Sequence, residues 1–200
     1  MKLLIILAGC PGTGKSYLAN IIMNKFESFK LLELDYIKEL YFDLYGFNNE
    51  HDKEQIVKKS TLKFYNDIEK LMIKQTDIII DYPFSDKQKS KLDQLRKQYD
   101  YKVLTIRLIA NFDLLYDRRI KRDLRMDRHI GHLVSKYSKG MVLDKKTRKD
   151  LLISYEDFLE ICTNRAYDKF ELGNLIELDV NDFQNIDYEN TISKIQQLYI

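Results

Sequence analysis

Residues 3–22 read LLIILAGCPGTGKSYLANII. The first six, LLIILA (3–8), are continuously apolar, as expected of a strand buried on both faces of a sheet. The next eight, GCPGTGKS (9–16), fit the spacing G-x-x-x-x-G-K-[ST]. A helical pattern follows over 15–26. Strand, glycine loop and helix in this order make a phosphate cradle. Gly9, Gly12 and Gly14 let the backbone turn tightly and aim its N–H groups at phosphate oxygens. The positive N-terminal end of the helix adds to the attraction. Lys15 is placed to reach the β- and γ-phosphates, and Ser16 to hold Mg²⁺. Cys10 and Pro11 shape the loop, and Thr13 and Tyr17 complete the set that contacts the nucleotide. The plainer alternative is a glycine turn that only caps a helix.

Outward from this stretch, four more apolar runs predict strands: KLLELD (30–35), DIIIDYPF (77–84), KVLTIRLIA (102–110) and NLIELDV (174–180). Helical patterns lie between them. Residues 52–74 offer Ile56, Leu62, Ile68 and Leu71 to the core, and 86–99 start after Ser85 as N-cap. Residues 112–126 carry Leu114, Leu115 and Ile120 between charges. Residues 147–163 show a Leu/Ile/Phe stripe, and 188–199 close the chain with Ile192, Ile195, Leu198 and Tyr199. Strands alternating with helices of this length predict an α/β fold, with a five-stranded parallel sheet and helices on both faces.

Two hundred residues predict one domain, 1–200, and 44% hydrophobic content supplies its core. Net charge is only +2, which argues against a nucleic-acid coat. The charge is uneven, however. Phe112 to Asp150 hold twelve Lys/Arg and six Asp/Glu, so a local +6 stands against −4 elsewhere. That pattern suggests an anionic ligand or, alternatively, a solvated helix face. Two distant cysteines, Cys10 and Cys162, make no disulfide framework. With no signal peptide and no run of about 20 apolar residues, a cytoplasmic protein without membrane contact is expected.

Three further groups narrow the chemistry. A GTPase carries Asn-Lys-x-Asp late in the chain, and none is present; NKFE (24–27) lacks the aspartate and lies too early. A remodelling or motor ATPase usually pairs Asp with Glu at the third-strand end, whereas Asp81 is followed by Tyr82. A small kinase needs an acid facing its acceptor hydroxyl and an arginine-rich lid. Asp35, at the end of the second strand run, is placed to take the hydroxyl proton; alternatively it caps the next helix. Asp81, at the end of the third, is placed to bind Mg²⁺ opposite Ser16; alternatively it makes a turn before Pro83. DRRIKRDLRMDRH (117–129) has five arginines and one lysine. Arg118, Arg122 and Arg125 are spaced to share one helix face, with Arg119 and Arg128 off that stripe. Guanidinium forks suit the γ-phosphoryl oxygens, so Arg122 and Arg125 are the catalytic candidates. Arg118 is the candidate to stack near adenine, as arginines just before kinase lids do. Asp117, Asp123 and Asp127 would otherwise pair with these arginines on the surface. RHIGH (128–132) supplies lid or acceptor contacts through Arg128, His129 and His132, with Gly131 permitting a turn. Residues 133–146 show little pattern and read as mobile.

GCPGTGKSYLA with Asp35 just past the second strand resembles the 5′-kinase domain of phage polynucleotide kinase. More broadly the chain is similar to P-loop kinases of the polynucleotide-kinase, zeta-toxin-like and chloramphenicol-phosphotransferase-like group. LDYIKELYFDLYG (34–46) and RHIGH match elements of uncharacterised members, with isoleucine for proline in the second. The resemblance implies a P-loop NTPase kinase fold with an Arg-rich lid at about 117–146. It also implies ATP and Mg²⁺, Asp35 as base, a lid arginine among 118–128, and Lys38 against the acceptor. The expected reaction is transfer of a γ-phosphoryl group to a hydroxyl of a small molecule. A polynucleotide 5′-hydroxyl and a non-catalytic ATP-binding regulator are the alternatives, and the oligomeric state is left open.

Overall fold

The computed structural model describes residues 2–198; Tyr199, expected in the last helix, lies outside them. Five strands form one sheet: β1 (Lys2–Ala8), β2 (Lys30–Glu33), β3 (Ile78–Asp81), β4 (Tyr101–Ile109) and β5 (Asn174–Asp179). All pairs are parallel, in the order β2-β3-β1-β4-β5. β1 is therefore central, and the run LLIILA is buried throughout. Its even residues Leu4 and Ile6 join one core cluster and its odd residues Leu3, Ile5 and Leu7 join the other. A strand with period 2 and no polar position demands cover on both faces.

The first cover comes from α3 (Glu50–Ile73) and α4 (Asp86–Gln98). Ile56, Ser60, Phe64, Ile68 and Met72 of α3 are buried at strict four-residue spacing. Leu62 is not a core residue: it lies off that stripe and is 63% exposed. Helix α4 begins as expected at Ser85, whose N–H donates to Gln88 Oε1 at 2.9 Å in a capping box. On the other face α1 (Lys15–Lys25) buries Leu18, Ala19 and Ile22, and α8 (Tyr188–Leu198) buries Ile192 and Ile195.

The remaining helices are α2 (Leu34–Tyr45), α5 (Phe112–Asp123), α6 (Lys145–Asp150) and α7 (Tyr155–Arg165). The stripe expected over 147–163 is two helices, α6 and α7. Ser154 starts the second by accepting from the Asp157 N–H at 3.1 Å. Residues 133–146 are anchored at three positions, while 138–142 between them are exposed. Val134, Tyr137 and Leu143 are buried with Phe42, Phe47 and Ile56. Phe47 and Tyr137 pair backbone to backbone in an isolated antiparallel bridge. These apolar residues are too sparsely spaced to show a period, yet each finds the α2–α3 surface. Among the described residues no helix is long and apolar enough to cross a membrane.

Candidate functional site

The carboxyl ends of β1, β2 and β3 meet at one edge of the sheet, where an open α/β fold holds its ligand. Register brings Leu7 and Glu33 level with Asp81. The glycine loop leaves β1 here. Gly9 has φ +125°, and a Cβ on it would lie 2.3 Å from the Leu108 carbonyl oxygen, so the loop cannot pass β4 with any other residue. Gly14, φ +88°, starts α1 and lies against the Phe183 ring. The Lys15 ammonium is buried and donates to the carbonyls of Gly9 and Cys10, both at 3.0 Å. Burial lowers its pKa, while Asp81 opposes that shift. Pro11, Gly12, Gly14, Ser16 and Tyr17 line the cavity; Gly9, Cys10 and Thr13 do not, and the buried Thr13 hydroxyl donates instead to the Cys10 carbonyl at 2.9 Å.

Asp81 ends β3 as expected, and Ser16 Oγ donates to its Oδ2 at 2.6 Å. Burial raises the Asp81 carboxyl, against the pull of Lys15 and the Ser16 hydroxyl. A buried carboxylate and a hydroxyl in contact are hard oxygen ligands. They fit a Mg²⁺ that takes its other ligands from phosphate and water. Asp35 is not at a strand end. The strand stops at Glu33, which is the N-cap, and Asp35 falls in the first turn of α2. The two apolar residues before Glu33 are pairable, but Leu34 turns into the core instead. Asp35 still faces the cavity, with 42% of its side chain exposed, and accepts from Lys38 Nζ at 3.0 Å. Burial alone would raise its carboxyl. Lys38, with His132 and Arg128 farther off, holds it well below the usual carboxylate range. Lys38 also donates to the Tyr82 hydroxyl at 3.2 Å.

The arginines differ from their expected arrangement. Helix α5 ends at Asp123, so Arg125 does not share a helix face with Arg118 and Arg122. All five arginines of 117–129 nevertheless line the cavity, including Arg119 and Arg128. Asp123 is no surface partner: it is buried, with the Nε atoms of Arg122, Arg119 and Arg128 at 3.1, 3.4 and 3.6 Å. Three guanidiniums on one carboxylate leave a surplus of positive charge for an anion. Arg125 is exposed and pairs with Asp127, at Nε–Oδ1 2.9 Å, a contact of little strength in water. Arg118 lies 3.7 Å over the Phe183 ring and donates to the Val180 and Asn181 carbonyls at 2.9 and 3.3 Å. Sequence reasoning missed Phe183 because it opens a single 3-10 turn (Phe183–Asn185) that carries no motif.

It also missed Arg148, which is 2% exposed. Its Nη1 donates to the carbonyls of Arg125 and Arg128 at 3.0 and 3.2 Å. Its Nη2 reaches those of Met126 and Arg128 at 3.5 and 3.3 Å. One side chain thus ties down the irregular backbone that follows α5.

RHIGH folds against α2. His129 Nε2 lies 3.2 Å from Asp43 Oδ1, and His132 Nε2 lies 2.8 Å from Glu39 Oε1. Arg128 Nη1 donates to the same Glu39 oxygen at 3.3 Å. Arg128 and His132 line the cavity, and His129 does not. Gly131 is needed for close approach rather than for a special φ: a Cβ would lie 2.6 Å from the buried Phe42 ring. Gly131→Ala should cost roughly 1–3 kcal/mol by overpacking. That would lower the thermal unfolding midpoint by about 2–4 °C per kcal/mol, and calorimetry checks it. Cys10 and Cys162 are distant in sequence but share one buried cluster, as free thiols.

The cavity measures about 870 Å³. It runs from the glycine loop, past Asp81 and Asp35, to Lys38, Arg128 and His132. Residues 5–131 match the sequence profile of a family described as AAA domain. No curated protein matches the sequence. Several solved structures share the fold. A candidate kinase from Chloroflexus aurantiacus J-10-fl aligns with TM-score 0.74 at 21% identity, over 98% of this chain and 97% of that one. The tunicamycin resistance protein of Deinococcus radiodurans aligns with TM-score 0.54 at 15% identity, over 100% and 96%. A shikimate kinase from Bacteroides thetaiotaomicron aligns with TM-score 0.51 at 15% identity, over 98% of each. The chain therefore has a P-loop, kinase-like fold.

Proposed function

The chain belongs to the AAA domain family of P-loop proteins, and from that premise we propose that it is an ATP- and Mg²⁺-dependent kinase acting on a hydroxyl of a small molecule. The observation that carries this reading is a single cavity with two different ends. One end holds the buried Lys15 ammonium and the Ser16–Asp81 pair; the other holds Asp35, Lys38, Arg128 and His132. About 870 Å³ is within the range of small-molecule sites and has to hold nucleotide and acceptor together, which leaves room for a compact acceptor.

Each residue then has a role. Lys15 meets the β- and γ-phosphates. Ser16 and Asp81 hold Mg²⁺, which when bound neutralises phosphate charge. Arg122 and Arg125 stabilise charge on the transferring group's oxygens. Arg118 and Phe183 form the platform for the base. Asp35 accepts the hydrogen bond of the acceptor hydroxyl and aims its oxygen at the γ-phosphorus. Lys38 keeps that carboxylate ionised. Arg128 and His132 contact the acceptor, while His129 secures the loop. The whole chain serves as one kinase domain, with residues 117–146 as its lid. Positioning supplies most of the rate, since effective concentration and charge compensation are both set before reaction.

Asp35→Asn tests the reading. It should keep ATP affinity within a few-fold and lose about 10²-fold in transfer rate, because the acceptor oxygen is no longer aimed. ATP binding by calorimetry, and transfer by mass spectrometry over nucleosides, sugars and a 5′-hydroxyl oligonucleotide, measure the two effects. Full transfer by Asp35→Asn removes the role given to Asp35. Transfer to the oligonucleotide alone replaces the small-molecule acceptor.

A further inference from the structure

The two histidines of RHIGH are used differently. His129 Nδ1 accepts from the Gly131 N–H at 3.0 Å, so its proton sits on Nε2 and is donated to Asp43. Both ring nitrogens are committed, and the ring packs beside Phe42 and Tyr137. His132 commits only Nε2, to Glu39 at 2.8 Å. A carboxylate at that distance fixes the Nε2–H tautomer and leaves Nδ1 basic. Among the described residues Nδ1 takes no hydrogen bond, and His132 lines the cavity beside Asp35, Lys38 and Arg128. Asp35, by contrast, already accepts from Lys38. A carboxylate so paired orients a hydroxyl well but takes its proton poorly, because proton transfer is most effective with a base whose pKa lies near the working pH.

We propose that His132, oriented by Glu39, is the group that receives the proton leaving the acceptor hydroxyl, a role resting on the kinase reading. The acceptor oxygen forms its bond to the γ-phosphorus, and the bond from that phosphorus to the β,γ-bridging oxygen breaks, its electron pair leaving with ADP. The hydroxyl proton moves to His132 Nδ1. The imidazolium is held by the Glu39 carboxylate and later gives its proton to water. Carboxylate, histidine and reacting hydroxyl follow the logic of a base steadied by a third group.

The groups facing His132 are Glu39 and Asp35 from α2 and Arg128 from its own loop. Burial lowers its pKa from the ordinary 6.5, against the pull of the two carboxylates, so the ring is a neutral base at pH 7. Activity is therefore lost as pH falls through a pKa below 6.5. An Asp35 base would keep its charge to far lower pH.

The test follows kcat against pH with Mg-ATP, using adenosine, glucose and water as the hydroxyls, with ADP release as the readout. His132→Gln should lower kcat about 10²-fold, leave KM for ATP within about 2-fold, and abolish the acid limb. His132→Ala should recover rate with added imidazole, which a merely structural histidine would not allow. Glu39→Gln should move the limb to lower pH. Circular dichroism at each pH separates these effects from unfolding. A His132→Gln enzyme with wild-type rate and an unmoved limb overturns this assignment alone. So does a His132→Ala enzyme that imidazole cannot rescue while the limb persists. A wild-type protein as inert as Lys15→Ala towards all three hydroxyls overturns the kinase reading and this assignment together.

Discussion

Lys15→Ala should bind ATP more weakly and lose about 10³-fold or more in phosphoryl-transfer rate, the largest effect of any single substitution in the site. The ammonium is buried under the glycine loop and donates to two of its carbonyls at 3.0 Å. Burial lowers its pKa, and Asp81 works against that shift. The charge is thus held where phosphate oxygens would lie, at a desolvation cost already met in folding. An alanine leaves the backbone N–H groups and the helix end, so affinity for the nucleotide falls less than turnover. Stability should change little, because removing a buried charge offsets the loss of its three hydrogen bonds, to the Gly9 and Cys10 carbonyls and the Thr13 hydroxyl. Calorimetric titration with ATP and ADP, thermal unfolding and a transfer assay measure the three quantities. Turnover within tenfold of wild type would mean that another cation neutralises the γ-phosphoryl group.

The parts of this molecule that sequence displays are those set by local pattern. Residues 3–8 are apolar at every position, which only a doubly covered strand requires, and the loop glycines mark where the backbone adopts positive φ. Ser85 with Gln88 is a cap readable from two letters. Asp81 is legible because a short apolar run ends on it. Asp35 lines the expected crevice but belongs to α2 rather than to the strand end, since KLLELD has no stop signal and Leu34 serves a strand or a helix equally well. Leucine alone predicts core at Leu62, and the four-residue stripe through Ser60 decides otherwise. Asp123 and Arg148 were illegible for a different reason. Each is a charged residue amid other charges: Arg148 is buried against backbone about 20 residues away, and Asp123 under three arginines within five residues of it, two of which the spacing assigns to other faces or loops. The same holds for Glu39 and His132, 93 residues apart. Spacing marks both as polar residues on helical or loop segments and says nothing of their meeting.

Arg148→Ala carries the second-largest consequence, and it should act on stability and catalysis together. Among the described residues the Arg148 guanidinium is the one side-chain group that reaches the carbonyls of Arg125, Met126 and Arg128. It sits on the short helix α6, started by Asp144, which accepts from the Thr147 N–H at 2.7 Å. Truncation leaves the Met126 and Arg128 carbonyls short of a donor, each costing about 1–3 kcal/mol if it stays buried, while the Arg125 carbonyl keeps the Arg128 N–H at 3.2 Å. Water entering the gap limits the total to roughly 3–5 kcal/mol. Lysine should rescue little, because a point charge cannot span carbonyls that a planar fork reaches together. The sheet does not depend on this contact, so the loss should be local, as opening of residues 124–150. Hydrogen exchange should quicken there while β1 and β4 stay protected. The backbone of Arg125 and Arg128 is what Arg148 holds, so kcat should fall with little change in ATP affinity. Uniform exchange across the sheet would instead place Arg148 in the global core. Unchanged exchange at 124–132 would mean that these carbonyls find water at no cost.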